Sequence, residues 1–485
     1  MRDLNRALGS WYSGSGPAYE RLAGALKAAI ERGEIGPGAR LPAERVMATT
    51  LSLSRTTVTA AYELLRSQGF LASRQGSGTF VRRRGRQPWP AEASEDLLTG
   101  LGSTLPSPSG RPGLRPIEFL AAAFPATDIL TADTGAALIS GMAAAADSHG
   151  YIALGLPALR AAIADHLSAT ALPTLPEQIL VTNGAQEATF LAAMLLVSPG
   201  DRVLIEDPTG LGAIDAYRTA GGEVVGIPTG PEGIDVRACG DLIGRHSPAL
   251  VHLSPSFNNP TGFAMSQRGR VELATLLNAS GIPLVEDSTL ADLGLNERRL
   301  PPVAAIARNS MVLSVGSVSK LFWGGLRVGW IRAPEPIIYR LAQLKLVVDH
   351  SSSLPSQALA LALFDRVDSI RTQRREQAAH RLGVLQEGLR QHLPEWRWRT
   401  PDGGLSLWVQ LPRGLSVEFC QLALRHGVVL IPGSRASPHG AHADSIRLPF
   451  VAEPEVLLEG VRRLAEAWRE YDHALDRRSV RQVIV

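Results

Sequence analysis

The first 81 residues carry apolar positions at helical spacing and then at strand spacing. Steps of three and four residues predict amphipathic helices, the first over 19–30 and the third with Ser54 as its N-cap. Between them, a short second helix is expected to begin with Leu41-Pro-Ala-Glu-Arg45. Two short apolar runs, 70–74 and 79–81, flank a glycine-rich tip and predict a hairpin. Three helices followed by a hairpin predict a winged helix-turn-helix.

The pattern breaks after residue 81, where an arginine run gives way to repeated Pro, Gly and Ser, which predicts a flexible linker. Farther on, short apolar runs alternate with helical stretches such as 185–197 and 268–279. The expected strands cover 178–182, 202–206, 250–254, 282–286 and 311–315. This alternation predicts a large α/β domain with a mostly parallel sheet, followed from about Pro355 by a smaller α+β lobe. We expect a head, a linker and a body at 1–82, 83–116 and 117–485.

The composition is that of a globular chain of two or three domains, with 485 residues, 45% hydrophobic and 20% charged. The longest apolar run, 188–197, has about half of the roughly 20 residues that a membrane-spanning helix needs. The N-terminus shows no export signal. Cys239 and Cys420 lack metal-binding spacing. We therefore expect a cytoplasmic protein without a disulfide framework, a metal site or a membrane association.

Charge is divided unevenly along the chain. Residues 1–86 hold 14 Lys or Arg against 6 Asp or Glu, a net charge of +8, whereas the remainder has 35 against 40, a net charge of −5. A basic segment on an acidic chain suggests a polyanionic partner for that segment, and double-stranded DNA is the natural candidate. The basic residues are almost all arginine, because lysine occurs only at 27, 320 and 345.

In a helix-turn-helix, the N-terminal residues of the second helix reach into the major groove. Here Arg55 can bind guanine or a phosphate, and the neighbouring hydroxyls suit phosphate oxygens. A capped surface helix explains the same residues equally well when they are viewed alone. In the wing, the glycines permit close approach to the minor groove, with Arg74 or Gln75 as the reaching side chain. The DNA-contacting residues predicted are Arg45, Ser54, Arg55, Thr56, Thr57 and Gly76.

Residues 17–81 resemble a GntR-type winged helix. The resemblance rests on Leu41-Pro-Ala-Glu-Arg45, Leu53-Ser-Arg-Thr-Thr-Val58 and Gly76-Ser-Gly-Thr-Phe-Val81. It implies that the residues matching Arg45, Arg55, Thr56, Thr57 and Gly76 contact operator DNA. Some members carry an additional DNA-contacting arginine at the position that is Thr59 here.

The body contains a lysine in an unusual setting. Lys320 follows a predicted strand within Ser314-Val-Gly-Ser-Val-Ser-Lys320, and Gly324, Gly325 and Arg327 come soon after. Most isolated lysines are solvated surface charges. Here, hydroxyls and an arginine suit an anion, glycines permit close backbone approach, and an amine can form a Schiff base with an aldehyde cofactor.

Three further constellations fit the same kind of ligand. Asn183-Gly-Ala-Gln186 joins a strand to a helix, so that the first helical amides can face a phosphate. Asp287 follows an apolar run and can pair with a pyridinium N–H. Asn259, in a tight turn, can donate to a phenolate oxygen. Each feature alone has an ordinary structural explanation, whereas together they specify pyridoxal 5′-phosphate (PLP).

The body resembles the fold-type I aminotransferases over roughly 117–470, and its fusion to the head resembles MocR-type transcriptional regulators. The resemblance implies a Schiff base between PLP and Lys320, Asp287 on the ring nitrogen, Asn259 on the ring oxygen, and Arg447 on the carboxylate of an amino compound. It also implies a head-to-tail homodimer. The residues expected to contact the phosphate are Ala185, Gln186, Ser317 and Arg327.

Two positions depart from that family. Thr289 stands where relatives usually have a tyrosine that touches the ring oxygen, and the stacking aromatic is missing near Gly210. Our leading hypothesis is therefore a regulator that senses PLP or its adduct with an amino compound. The alternatives are an active aminotransferase tethered to DNA, and a DNA-binding scaffold with a cofactor-free body.

Overall fold

The computed structural model separates the chain into two compact units, Met1–Thr99 and Gly100–Val485. Within them it describes residues 8, 11–13, 17–31, 35, 39–51, 53–67, 70–74, 78–81, 115–147, 149–230, 232–296 and 300–483. Most of the predicted linker lies outside these residues. In the described part of the chain, no helix is both long enough and apolar enough to cross a bilayer.

The first unit has the three helices and the hairpin expected of a winged helix-turn-helix. These elements are α1 (Ala18–Glu31), α2 (Glu44–Leu51), α3 (Arg55–Ser67), β1 (Leu71–Arg74) and β2 (Gly78–Val81). Helix α2 begins later than predicted, because the Leu41 N–H donates to the Thr79 carbonyl and Tyr62 donates to the Pro42 carbonyl, so this segment is extended along the hairpin. Completely buried residues, among them Leu22, Leu26 and Val58, form its core.

The second unit contains the α/β body. Its strands are β3 (Ile117–Glu118), β4 (Ile179–Thr182), β5 (Arg202–Asp207), β6 (Glu223–Gly230), β7 (Gly233–Ile234), β8 (Leu250–Leu253), β9 (Leu284–Asp287), β10 (Val312–Ser317), β11 (Gly329–Arg332), β12 (Arg397–Trp398), β13 (Ser406–Gln410), β14 (Val428–Val429), β15 (Ile431–Pro432) and β16 (Ser445–Pro449). Its helices are α4 (Ala132–Ala145), α5 (Pro157–Ser168), α6 (Ala185–Leu196), α7 (Leu211–Thr219), α8 (Val236–His246), α9 (Gln267–Ser280), α10 (Val303–Ile306), α11 (Glu335–Val348), α12 (Leu354–Phe364), α13 (Val367–His392), α14 (Ser416–Arg425) and α15 (Pro454–Val483).

Eight strands form the large sheet in the order β4-β11-β10-β9-β8-β5-β6-β7. The pairs from β10 through β9, β8 and β5 to β6 are parallel, as predicted. Strand β11, which the sequence analysis did not identify, runs antiparallel to both β10 and β4. Helices α6, α7 and α11 cover one face of the sheet, while α8, α9 and α10 cover part of the other. Covering both faces accounts for the continuous apolar runs that marked these strands in the sequence.

A second, antiparallel sheet with the order β12-β13-β16-β15 forms the predicted small lobe. The expectation that this lobe begins at about Pro355 was wrong in one respect. Strand β3, at the start of the body, pairs in parallel with β14 of the lobe. In addition, Arg463 in α15 donates to the Arg115 carbonyl at 2.9 Å. The first described residues of the body are thus attached to the small lobe.

Candidate functional site

Most of the body residues predicted to form a site lie at one edge of the large sheet. Parallel strands end at a common edge, and here that edge carries Asp287 at the end of β9 and Ser317 at the end of β10. The antiparallel strand β11 starts at the same edge, where Gly329 pairs with Ser317 on one side and Thr182 on the other. Ligand sites of α/β proteins lie outside such strand ends.

The predicted turn before α6 is confirmed. Gly184 is the N-cap residue with φ +82°, and the helix begins at Ala185. The Arg327 guanidinium lies directly over this turn, since its Nη2 donates to the Asn183 carbonyl at 2.9 Å. The positive φ of Gly184 favours glycine here, and a Cβ on this residue would also stand 2.6 Å from the same Nη2. Amides at a helix start and a guanidinium are groups that can bind an anion, and we call residues 183–186 the anion turn.

The side chains of two other residues predicted to bind the phosphate are hydrogen-bonded within the protein. The Gln186 side chain is exposed and donates to the Gly212 carbonyl at 2.8 Å, which leaves its backbone amide at the helix start. The Ser317 hydroxyl is buried and hydrogen-bonded to Ser319 and to the Val328 carbonyl, at 2.9 and 3.0 Å. In this arrangement Ser317 braces the loop that carries Lys320 and Arg327.

Lys320 lies in that loop, three residues beyond β10, and lines a small cavity with Asn259, Leu290 and Ser406. Burial lowers the pKa of Lys320 to about 8, and the nearby positive charges of Arg447 and Arg327 act in the same direction. Asp287 opposes this shift. At neutral pH roughly a tenth of such an amine is unprotonated, which is the nucleophilic form.

Arg447, in β16, extends from the small lobe toward the same place. Its Nη1 donates to Asn259 Oδ1 at 3.3 Å, and its Nη2 donates to the Leu120 carbonyl. Burial lowers the pKa of Arg447 to about 10, and its Nε is buried without a hydrogen-bond partner. A buried arginine with an unused donor is suited to a carboxylate.

Asp287 and Asn259 retain unused polar atoms in the described structure. One Asp287 oxygen, Oδ1, accepts the Thr289 N–H at 2.8 Å, and no hydrogen bond engages the other oxygen. Asn259 uses Oδ1 for Arg447, and its Nδ2 lies near Gly210, where an added Cβ would be 3.5 Å away. Because Gly210 has φ −66°, an L side chain is conformationally acceptable there.

The sequence analysis missed a group of buried residues next to Asp287. Glu206, at the end of β5, accepts hydrogen bonds from Ser254 N–H and Asn258 Nδ2 at 2.8 and 2.9 Å, and so holds the turn that carries Asn259. Burial raises the pKa of Glu206 to about 7. Nothing in the local sequence distinguishes this glutamate from other strand-end carboxylates, since its role depends on a partner about fifty residues away.

In the head, Ser54 caps α3 as predicted, because the Thr57 N–H donates to its Oγ at 3.0 Å. The same oxygen lies 2.8 Å from the Thr56 hydroxyl and 2.7 Å from the Thr57 hydroxyl. The Arg55 side chain is 73% exposed, and Arg45 is also exposed. These residues form a compact polar surface at the helix start. Gly76 and Gln75 lie outside the described residues, as does the side chain of Arg74.

Thr59, where the resemblance implies an additional arginine in some members, contacts its own unit. Its hydroxyl oxygen lies 3.0 Å from Glu44 Oε2 and 3.0 Å from the Arg55 carbonyl, and both are acceptors for its single proton. This side chain therefore braces α2 against α3.

The chain belongs to the aminotransferase class I and II family, whose model matches residues 122–464. Residues 18–81 match the model of the bacterial regulatory proteins of the gntR family. Both matches agree with the two units that the structure separates.

Relatives include full-length regulators and shorter enzymes. The chain is 30% identical over 480 residues to the "Probable rhizopine catabolism regulatory protein MocR" of Rhizobium meliloti, covering 93% of this chain and 94% of that protein. It is 33% identical over 323 residues to the 2-aminoadipate transaminase of Thermus thermophilus, covering 64% of this chain and 79% of the enzyme.

Among solved structures, LysN, an α-aminoadipate aminotransferase from Thermus thermophilus complexed with N-(5′-phosphopyridoxyl)-L-leucine, superposes with a TM-score of 0.68. Its sequence is 28% identical, and the match covers 79% of this chain and 95% of LysN. The fold is thus that of fold-type I aminotransferases, joined to a GntR-type head. This combination defines a MocR-type transcriptional regulator with an aminotransferase-like domain.

The electrostatic environment of Lys320 predicts its reactivity. Competitive acetylation followed by mass spectrometry should show a labelling midpoint near pH 8 for Lys320, with Lys27 as an internal reference. Replacing Arg447 by Met removes a neighbouring positive charge, so the midpoint should move to higher pH. Arg413→Met, a change in an exposed ion pair, is the control. A midpoint that stays in place or falls in Arg447→Met would contradict this account.

Proposed function

We propose that this protein is a PLP-responsive DNA-binding regulator, whose aminotransferase-like domain senses PLP or its adduct with an amino compound. The observation that carries the proposal is the grouping of Lys320, Asp287, Arg327 and Arg447 at one sheet edge, with the pKa of the lysine lowered toward neutrality. We further infer that it acts in the bacterial cytoplasm, where the chromosomal DNA is found.

The residues at the sheet edge fit the chemical groups of PLP. The anion turn before α6, with the Ala185 and Gln186 amides and Arg327, would hold the phosphate, with Ser317 bracing the loop. The unused oxygen of Asp287 would bind the ring nitrogen, and Asn259 Nδ2 the ring oxygen. When bound, PLP supplies an aldehyde conjugated to a pyridinium ring, which reacts with amines. The Lys320 amine is the group that would attack that aldehyde.

The first test of this proposal is spectroscopic. Wild-type protein with PLP should show a visible absorption band that borohydride removes, and mass spectrometry should then find a phosphopyridoxyl group on Lys320. Lys320→Ala should lack both, and Lys27→Ala, a change in the head, should behave as wild type. DNA affinity should also change with PLP in wild type but not in Lys320→Ala. The same band in both proteins, or no band in wild type, would contradict the assignment and leave the DNA-binding scaffold as the remaining hypothesis.

The head would bind operator DNA through the start of α3. Its phosphate contacts would be supplied by the hydroxyl cluster of Ser54, Thr56 and Thr57 and by the helix N-terminus, while Arg45 and Arg55 supply charge. The wing glycine Gly76 is also expected to contact DNA. Since the first 86 residues have a net charge of +8, binding should weaken strongly as salt increases.

Arg55→Ala should weaken binding to a duplex selected from a random library by about 1–3 kcal/mol if Arg55 reads a base. If Arg55 contacts a phosphate instead, the loss of affinity should be similar for random DNA. The slope of log affinity against log salt concentration should then be smaller in magnitude by about one. Arg390→Ala, an exposed arginine of α13, is the matched control. Fluorescence anisotropy across a salt series measures both quantities. Unchanged affinity for both duplexes would contradict a role for Arg55 in DNA binding.

We also infer a homodimer, with the two copies arranged head to tail. The body exposes a set of large apolar side chains at and around α4 and the end of α11, which is unusual for a monomer surface. Members of this set are Ile139, Met142, Tyr151, Leu346, Val347 and Val348. Tyr151 lies beside His350, just after α11, with ring centroids 6.1 Å apart. The apolar set therefore continues from α11 to the segment before α5.

Val347 is 86% exposed, so an aspartate there costs little within one chain but would place a charge in the interface. Wild type should have about twice the chain mass of 51.8 kDa by light scattering, and Val347→Asp should shift toward the monomer. Val271→Asp, on α9, is the control, because Val271 is also exposed, at 45%. A wild-type monomer, or an unaltered dimer in Val347→Asp, would contradict this interface.

A second candidate function is aminotransferase activity. The observation in its favour is the buried Arg447, whose unused Nε is suited to a substrate carboxylate, close to a lysine able to transfer protons near neutral pH. The absent aromatic at Gly210 and the threonine at 289 favour sensing instead. If the protein forms more keto acid from an amino donor than there is protein in the assay, it turns over repeatedly, and that result would favour the aminotransferase.

A further inference from the structure

Lys345 is a completely buried lysine that the proposed chemistry does not use. It lies in the last turn of α11, where its Nζ contacts Asp349 at 2.5 Å and both carboxylate oxygens of Glu187 at 3.4 Å. Glu187 belongs to α6, so the ammonium connects two helices on the same face of the sheet. A buried charge is tolerated only when it is well paired, and this one has two carboxylates.

The two carboxylates paired with Lys345 both bind Asn183, the residue before Gly184 in the anion turn. Glu187 accepts the Asn183 backbone N–H, and Asp349 accepts the Asn183 side-chain amide. The backbone carbonyl of Asn183 accepts the Arg327 guanidinium at 2.9 Å. Charged side chains therefore hold Asn183 through its backbone N–H, its side-chain amide and its carbonyl.

The hydrogen bonds from Asn183 to Glu187 and Asp349 depend on the Lys345 ammonium, which pairs with both carboxylates. Burial raises the pKa of Glu187, and the neighbouring charge of Asp349 acts in the same direction, whereas Lys345 opposes both. Asp349 also has a buried oxygen, Oδ1, that lacks a hydrogen-bond partner. Without Lys345, two adjacent, partly buried carboxylates would repel each other, and they would either take up a proton or separate. Either change would release Asn183.

Lysine is suited to this position in a way that arginine is not. It presents a compact ammonium, whereas arginine presents a planar group with five donors that must all be satisfied. The chain contains 49 basic residues but only three lysines, so a lysine here stands out against a strong preference for arginine.

We propose that Lys345 is a positioning residue for the anion turn: through Glu187 and Asp349 it orients Asn183, so that the α6 amides and Arg327 converge on the phosphate of the ligand. This inference rests on the proposed function, since it assumes that the phosphate of PLP binds at this turn. Lys345 touches neither the ligand nor Lys320 in this account, so its effect is confined to recognition of the phosphate.

The test compares PLP with pyridoxal, which carries the same aldehyde and ring but no phosphate. Dissociation constants are measured on the full-length, cofactor-stripped protein in buffer free of phosphate and amines. Wild type should prefer PLP. Lys345→Met should lower the ratio of PLP to pyridoxal affinity about tenfold, the scale seen when residues that orient direct ligands are removed. Its pyridoxal affinity should remain close to that of wild type, because pyridoxal carries no phosphate. Lys27→Met is the matched control and should keep the wild-type ratio.

A second variant covers the case in which Lys345→Met does not fold. Asp349→Ala removes the acceptor for the Asn183 side chain but leaves a charge-balanced Lys345–Glu187 pair, and it should lower the same ratio. A folded variant that keeps the wild-type ratio, or loses affinity equally for both ligands, would overturn the positioning role. A wild-type protein that binds PLP and pyridoxal equally would overturn the phosphate assignment itself, and this inference with it.

Discussion

The geometry of the candidate site depends on one antiparallel strand placed between two parallel ones. Because β11 runs back between β10 and β4, the loop from 318 to 328 stays at the edge where the parallel strands end. This arrangement sets Lys320 and Arg327 beside the turn before α6. The start of β11 lies so close to this turn that a Cβ on Gly329 would be 2.5 Å from the Gly184 carbonyl carbon. Only glycine fits at this position.

The charges gathered at that edge are unbalanced. The buried Lys320 amine lies near the positive charges of Arg447 and Arg327, with Asp287 as the opposing charge. Like charges at low dielectric repel, so this set of side chains is electrostatically unfavourable on its own. The anionic ligand proposed for this site would offset that repulsion, and its binding would stabilise the folded protein as the ligand concentration rises.

Features encoded within a few residues were predictable from the sequence. The Ser54 cap, the Asn183–Gly184 turn and the position of Asp287 at a strand end each follow from local residue types and apolar spacing. Features that join distant segments were not. The direction of β11, the pairing of β3 with β14 and the grip of Glu206 on Asn258 all depend on contacts between residues far apart in the chain. The scarcity of lysine was a usable signal for Lys345, but one of its carboxylate partners, Glu187, lies 158 residues earlier in the chain, in α6.

The pairing of β3 with β14 determines where the chain from the head is anchored. The described body begins at Arg115, whose carbonyl is held by α15, and two residues later the chain enters the small lobe. Arg447 holds the backbone of the same segment at Leu120. Arg447, the residue proposed to receive a carboxylate, is therefore hydrogen-bonded directly to the segment with which the described body begins.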